Sequence, residues 1–441
     1  MPLRVAVLFS GGKDSTFAVW YCRQKKFEVK FLLTMAPKSK ESYMFHYPNI
    51  KWTRLQAESM GIRQHMRHTD GVEGREVSDL GAAIRPLRHE IDAIAAGGLA
   101  STYQADRIGK VAQMLNLKPV VPFWHTEIRN YWRMILEAGF EVIITGVAAD
   151  GLGREWLGKK IGLKELDKLK ELSDKYKFNL GGEGGEYESM VLDGPIFKRK
   201  LVPLSHGIEW DSDTCSGFYI IKDMMSIDKM ELANLMREHS HKKEAIRKRL
   251  EEFEAVGSTS NQERLFAELA FCLCTPQSKA RLCWAAVEGL EKKGLLIDGK
   301  AKDIERNLGG VRFHRNKARY IENARTLMSV HGRLDVRGFL TGLDGKDARE
   351  KLVTGVKGLG YKEASHFLRN IGMGKGIAIL DRHILKNLKK LGVIDEVPKT
   401  LSPKKYREIE SRMSAFCAHV CISEEELDLL LWSKETGEIF K

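Results

Sequence analysis

"RVAVLFSGGKDSTFAVWYCRQKK", residues 4–26, decides how the first half of the chain is read. "RVAVLF" (4–9) is a short apolar run suited to a buried strand, "STFAVWYCRQKK" (15–26) is a helix, and "SGGKDS" (10–15) is the turn between them. "VKFLLTM" (29–35) supplies the next strand and "EVIITGV" (141–147) a later one that runs into glycine and a polar turn. This alternation predicts an α/β domain with a parallel sheet and helices on both faces. Such sheets take ligands at the carboxyl ends of their strands, which is where "SGGKDS" falls. Gly11 and Gly12 let backbone N–H groups approach a phosphate closely, the start of the helix adds partial positive charge, and Lys13 adds a full one. Ser10 and Ser15 offer hydroxyl donors, and Asp14 suits a Mg²⁺ ion or the orientation of a nucleophile. The motif is not a Walker A loop, which has four residues between its first glycine and the Gly-Lys pair.

The second half changes character. From "SIDKMELANLMREHSHKKEAIRKRLEEF" (226–253) onward helical periodicity dominates, and several short helices end in glycine, as in "RHILKNLKKLG" (382–392). The domains are read as 1–225 and 229–441, with the junction between them. Residues 229–441 hold 40 Lys+Arg against 30 Asp+Glu, a net +10, whereas residues 1–228 hold 32 against 29, a net +3, within an overall +13. A basic α domain suits a phosphate-backbone partner, although solubility alone also accounts for such a charge. In "GVKGLGYKEAS" (355–365), Gly358 and Gly360 permit a tight turn between helices whose outward amides can hold a DNA phosphate without reading sequence. Lys362 follows at the start of the next helix. Nineteen residues on, "AILDRHILKNL" places Asp381 where it can cap a helix. A lysine amine and a carboxylate facing one cleft also suit cleavage of an N-glycosidic bond: the neutral amine attacks C1′, and the carboxylate stabilises the positive charge on the sugar.

Bulk properties narrow the classes. The length of 441 residues suits two to three domains, and 43% hydrophobic content suits a globular protein. With neither a long apolar run nor a secretory signal, a cytoplasmic protein without a membrane partner is expected. Seven irregularly spaced cysteines suit a reducing compartment. Only Cys417 and Cys421 lie late in the chain, so no iron–sulfur cluster is expected, and no His/Cys set has zinc spacing. Cys272 and Cys274 are read as core or near-core residues. "GGEGGEYES" (181–189) gathers Glu183, Glu186 and Glu188 on a glycine frame. Their mutual repulsion calls for a cation, an amine or a hydrogen-bonding ligand, unless the segment is an acidic surface turn.

Two resemblances sharpen these readings. "SGGKDS" after the first strand resembles the PP-loop of ATP pyrophosphatases, which cleave ATP between the α and β phosphates. "SYMFHYPNI" (42–50), "GGLASTYQADRI" (97–108), "GVAADGL" (146–152), "WLGKK" (156–160) and "GGEGGEYESMVLDGPIF" (181–197) narrow this to the diphthine–ammonia ligase family, over about residues 3–200. The resemblance implies ATP and Mg²⁺, with Ser10, Gly11, Gly12, Lys13, Asp14 and Ser15 on ATP. Glu183 and Glu186 fall on the substrate or ammonia side. The implied reaction adenylates the diphthine carboxylate of translation elongation factor 2, and ammonia then displaces AMP. No cysteine pair for sulfur transfer lies near the loop; an RNA nucleobase as acceptor is the rival reading.

The second half resembles the helix–hairpin–helix DNA glycosylase superfamily, and within it the archaeal 8-oxoguanine DNA glycosylase/lyase class. The residues concerned are "FCLCTPQSKA" (271–280), "GVRFHRNKARYI" (310–321), "GVKGLGYKEASHFLRNIG" (355–372), "AILDRHIL" (378–385) and "LLLWSKETGEIFK" (429–441). Carried over, Lys362 is the nucleophile and Asp381 the activating carboxylate. Gln277 stands where the superfamily often fills the gap left by a flipped base, and His383 has a spacing used for phosphate contact. Trp432 either stacks on the extruded base or packs between helices. In this class the last lysine, here Lys441, helps recognise the damaged base. The expected partner is double-stranded DNA with oxidised guanine, and no cofactor is expected for this half. The reading is of two enzymes on one chain; the rivals are that one half serves only as a binding module, or that the lesion differs.

Overall fold

The computed structural model describes residues 1–37, 49–69, 75–97, 102–123 and 126–440. "SYMFHYPNI" lies mostly outside the described residues, as do part of "GGLASTYQADRI" and Lys441. The chain divides into two compact units, Met1–Met230 and Glu231–Lys441.

The first unit holds ten described strands: β1 Arg4–Leu8, β2 Glu28–Pro37, β3 Gln64–Thr69, β4 Ala93–Ala95, β5 Lys118–Val120, β6 Glu141–Val147, β7 Lys160–Ile161, β8 Tyr187–Asp193, β9 Arg199–Asp211 and β10 Ser216–Asp228. β1 to β5 form a parallel sheet in the order β3-β2-β1-β4-β5. Successive side chains of a strand face opposite sides, and β1 follows this rule. Val5 and Val7 pack with Phe17, Ala18 and Cys22 of the helix Lys13–Gln24, while Ala6 packs with Leu80, Ile84, Val111 and Ala112 on the other face. The expected parallel sheet with helices on both faces is therefore present.

"EVIITGV" is a strand, β6, but it does not belong to that sheet. It pairs antiparallel with β7, β8 and β10 in a second sheet that also includes β9. All but the first residue of β6 are buried. A continuous apolar run reports burial on both faces and says nothing of the direction of its neighbours.

The second unit is helical, apart from a small hairpin pairing Ser329–Val330 with Arg333–Leu334. Its core surrounds the helix Gln262–Cys274, in which all of residues 265–274 are buried. An apolar circumference suits a helix enclosed by others. Asn261, Asp344, Asp381, Ser402 and Ser423 each accept a backbone N–H of the following first turn, which sets where five helices begin. One helix, Lys229–Thr259, follows β10 directly. No described helix is long and apolar enough to cross a membrane.

Candidate functional sites

In the first unit the helix starts at Lys13, two residues before the expected Ser15, with Gly12 as its N-cap. Lys13, Asp14 and Ser15 thus occupy the first turn, where backbone N–H groups lack intrahelical partners. Gly11 has φ +82°, and a Cβ there would lie 2.3 Å from Gln56 Oε1. Gln56 is buried and clamps the loop: its Nε2 donates to Gly11 O at 2.8 Å and Val191 O at 2.7 Å. Ser15 Oγ donates to Gly12 O at 3.2 Å and lies 3.3 Å from Ser10 Oγ. Ser189 Oγ of β8 accepts the Lys13 amide at 3.2 Å. Gly11→Ala combines left-handed backbone strain with this overlap. It is expected to destabilise the α/β unit by about 2–4 kcal/mol in urea unfolding.

Lys13 is only 3% exposed. Its Nζ donates to Gly181 O at 2.5 Å and Asp14 Oδ2 at 2.8 Å, and lies 5.6 Å and 5.4 Å from the Trp132 and Tyr187 ring centres. Burial disfavours this ammonium, but the Asp14 charge leads a set of attractions that outweighs it and holds the pKa above the ordinary lysine value. Asp14 Oδ1 is buried without a well-formed hydrogen bond. Burial, then the Asp14 charge, raises the nearby Tyr131 phenol well above its usual pKa. Tyr187 is pushed up to about 12, chiefly by burial.

The two expected glutamates divide. Glu186 is spent on its own turn, its carboxylate accepting Asn179 N at 3.1 Å and Gly184 N at 2.8 Å. Glu183 adds to the upward pKa shifts of both Lys13 and Tyr131 through its charge. Glu188 joins Ser10, Thr53, Thr145 and Ser189 around a small cavity of about 20 Å³. Gln56, Tyr131 and Trp132 escape a reading of the sequence. None carries a local signal, and each reaches the loop only through the fold.

In the second unit "GVKGLG" is a hairpin between the helices Gly345–Gly355 and Tyr361–Asn370. Val356 and Leu359 are buried, while Lys357, Gly358 and Gly360 are exposed. Gly358 has φ +90°, and a Cβ there would lie 2.2 Å from the Tyr320 ring. Gly360 has ordinary extended backbone, φ −94° and ψ 179°, so its place at the N-cap demands no left-handed conformation.

Lys362 is the second residue of the helix Tyr361–Asn370, 28% exposed, with Nζ 3.7 Å from Glu363 Oε1. Asp381 caps the helix Arg382–Leu391, accepting Ile384 N at 2.8 Å. One buried ion pair, Arg349–Glu410, supports both elements. Arg349 Nη1 donates to Ser365 Oγ at 3.3 Å on the Lys362 helix. Glu410 Oε1 accepts Ala378 N at 2.7 Å on the segment leading to Asp381. Tyr406 completes the brace: its hydroxyl donates to Ala378 O at 2.7 Å and accepts Leu380 N at 3.1 Å.

A third carboxylate, without a signal in the sequence, feels the charge of both Lys362 and Asp381. Asp428, on the helix Glu424–Thr436, is buried and paired with Arg369 of the Lys362 helix. Burial raises its pKa to about 6; Arg369 and Lys362 oppose the rise and Asp381 adds to it, so Lys362 and Asp381 act on one buried group. Trp432 is half-buried on the same helix. His383 Nδ1 lies 3.6 Å from Glu435 Oε2 on that helix. Gln277 is exposed, with φ +58°. Cys272, Cys274 and Cys417 are buried, and Cys421 is exposed.

An α/β unit with a glycine-turned strand-to-helix loop, joined to a helix–hairpin–helix unit with a lysine at the hairpin exit, defines a two-enzyme chain. Two family profiles, described as the diphthamide synthase N-terminal and C-terminal domains, match residues 3–119 and 127–227. A third, described as 8-oxoguanine DNA glycosylase, matches residues 246–422. An 8-oxoguanine DNA glycosylase/AP lyase of Fusobacterium nucleatum is 48% identical over 44% of this chain and 91% of its own length. One from Methanocaldococcus jannaschii is 39% identical over 49% of this chain and 100% of its own. The diphthine–ammonia ligase of Rattus norvegicus is 34% identical over 45% of this chain and 82% of its own. The chain belongs to both families: the diphthine–ammonia ligases through its first half and the 8-oxoguanine DNA glycosylase/AP lyases through its second.

Proposed function

We propose that the second unit excises 8-oxoguanine from double-stranded DNA and cuts the strand at the resulting abasic site. The observation that carries this reading is that Lys362 and Asp381 share one buried brace, within a chain that spans nearly all of two glycosylase relatives. Lys362 Nζ, as the neutral amine, attacks C1′ as the base departs, and the Asp381 carboxylate stabilises the cationic sugar. Opening of the sugar ring gives a Schiff base, which eliminates the 3′ phosphate. Amides of the exposed Lys357, Gly358 and Gly360 bind backbone phosphate, with His383 as a second contact. Gln277 enters the gap left by the extruded base, and Trp432 and Lys441 recognise the base itself. Borohydride trapping on an 8-oxoguanine duplex tests this reading; no adduct and no strand cleavage overturn it.

The first unit, on the same reading, is an ATP-dependent diphthine–ammonia ligase acting in the cytoplasm on translation elongation factor 2. The Asp14 carboxylate stands in the first turn of the helix beside the phosphate-binding amides, and its oxygens suit a hard cation, so Asp14 would hold Mg²⁺, which neutralises phosphate charge when bound. Amides of Gly11 to Ser15 and the Ser10 and Ser15 hydroxyls bind the phosphates, and Lys13 supplies fixed positive charge beneath the loop. The diphthine carboxylate attacks the α phosphate and releases pyrophosphate; ammonia then attacks the acyl-adenylate and releases AMP. Glu183 serves the substrate side, and Glu186 shapes the turn that carries it. Pyrophosphate release that depends on diphthine-modified factor is the expected result. Release that ignores the factor and responds to RNA would move the acceptor to a nucleobase.

A further inference from the structure

Lys317 is a charged side chain that the proposed chemistry leaves unused. It lies on the helix His314–Leu327 and is 4% exposed. An ammonium has three N–H donors, and all three are engaged. Nζ donates to Cys274 O at 2.7 Å, Pro276 O at 2.7 Å and Ser278 Oγ at 3.2 Å. Cys274 ends the helix Gln262–Cys274, so its carbonyl is one of those a helix leaves without an internal partner. The other two acceptors stand on either side of Gln277.

Gln277 is a non-glycine residue with φ +58° and an exposed side chain. That backbone conformation costs on the order of 1–3 kcal/mol and persists only where its surroundings over-determine it. Ser278 N donates to Thr275 O at 3.0 Å, and Ser278 Oγ also accepts Arg312 N at 3.0 Å. The loop is thus fastened from within and from the Lys317 side, and the ammonium is the group that binds both flanks of Gln277.

We propose that Lys317 is a positioning residue for lesion extrusion, acting by holding the Thr275–Ser278 loop so that Gln277 projects into the opened duplex. This rests on the glycosylase reading of the second unit. The test compares two substrates in single turnover: a duplex with 8-oxoguanine opposite cytosine, which must be opened, and a single-stranded oligonucleotide with a preformed abasic site, which needs only Lys362 chemistry. Lys317→Met in the full chain should slow the duplex reaction about 10- to 100-fold, the loss expected for unpaired buried acceptors. Cleavage of the abasic single strand should stay within about 2-fold of the intact chain, which also reports folding. Gln277→Ala should slow the duplex reaction likewise, and on the duplex the double variant should be no slower than the slower single one, because residues acting as one unit are not additive.

Ser278→Ala, a milder change, should slow the duplex reaction in the same selective way, and it carries the test if Lys317→Met does not fold. Equal losses on both substrates, or additive losses in the double variant, overturn the assignment to Lys317. An intact chain that cuts neither substrate overturns the glycosylase reading and this inference with it.

Discussion

Lys362→Gln abolishes the borohydride-trapped adduct with an 8-oxoguanine duplex and lowers strand cleavage on the order of 10⁴- to 10⁶-fold, the scale seen when a covalent nucleophile is removed. The amide cannot form a Schiff base. The fold should tolerate the change, because Lys362 is partly exposed and its ion pair to Glu363 is long at 3.7 Å. A long, partly exposed pair of this kind contributes about 0–1 kcal/mol. Asp381→Asn separates the two roles of the carboxylate. Asparagine caps a helix about as well as aspartate, so the bond to Ile384 N survives and stability should be nearly unchanged. Excision should still fall about 10²- to 10³-fold, as when one electrostatic stabiliser of a transition state is lost. Trapping that persists in Lys362→Gln would assign the nucleophile to another amine.

Glu410→Ala should cost the helical unit about 3–5 kcal/mol, because it strands the Arg349 guanidinium in the interior. Arg349 and Glu410 are both buried, and the pair is bidentate, with Nη2 to Oε2 at 2.7 Å. For a unit of this size such a loss lowers the melting temperature by roughly 6–20 °C. Calorimetry of the full chain should show the shift in one transition, since its two units need not unfold together. The same variant releases Ala378 N, and with it the segment that aims Asp381, so excision should fall beyond what instability explains. Replacing both partners by Arg349→Met and Glu410→Leu should recover most of the stability, since a buried pair is often exchangeable for apolar side chains. It should not recover the activity, because the bond to Ala378 N is still missing. A loss under about 1 kcal/mol in Glu410→Ala would mean that water reaches the pair.

The features legible in the sequence are local ones. Strand β1, the "SGGKDS" turn, the Gly358 hairpin and the Asp381 cap all depend on residues within a few positions of one another, and their patterns survive in one dimension. The first helix begins two residues before the sequence pattern places it, because Lys13 and Asp14 read as loop chemistry and the structure puts them in the first turn. The second, antiparallel sheet is not legible, since two-sided burial of β6 looks the same for either neighbour direction.

By itself the sequence determined that the chain has an α/β half and a basic helical half. It also placed a glycine loop after the first strand, and Lys362 and Asp381 at the starts of two helices. Only the tertiary structure decided what those residues rest on. It buried Lys13 beneath its own loop and spent Glu186 on a turn. It joined Arg349 to Glu410 across 61 positions, Arg369 to Asp428 across 59, and Lys317 to Cys274 across 43. A charged side chain looks the same in sequence whether it is solvated or buried. Burial is tolerated only where a partner of opposite charge or a set of hydrogen-bond acceptors meets it, and packing brings those partners from distant parts of the chain.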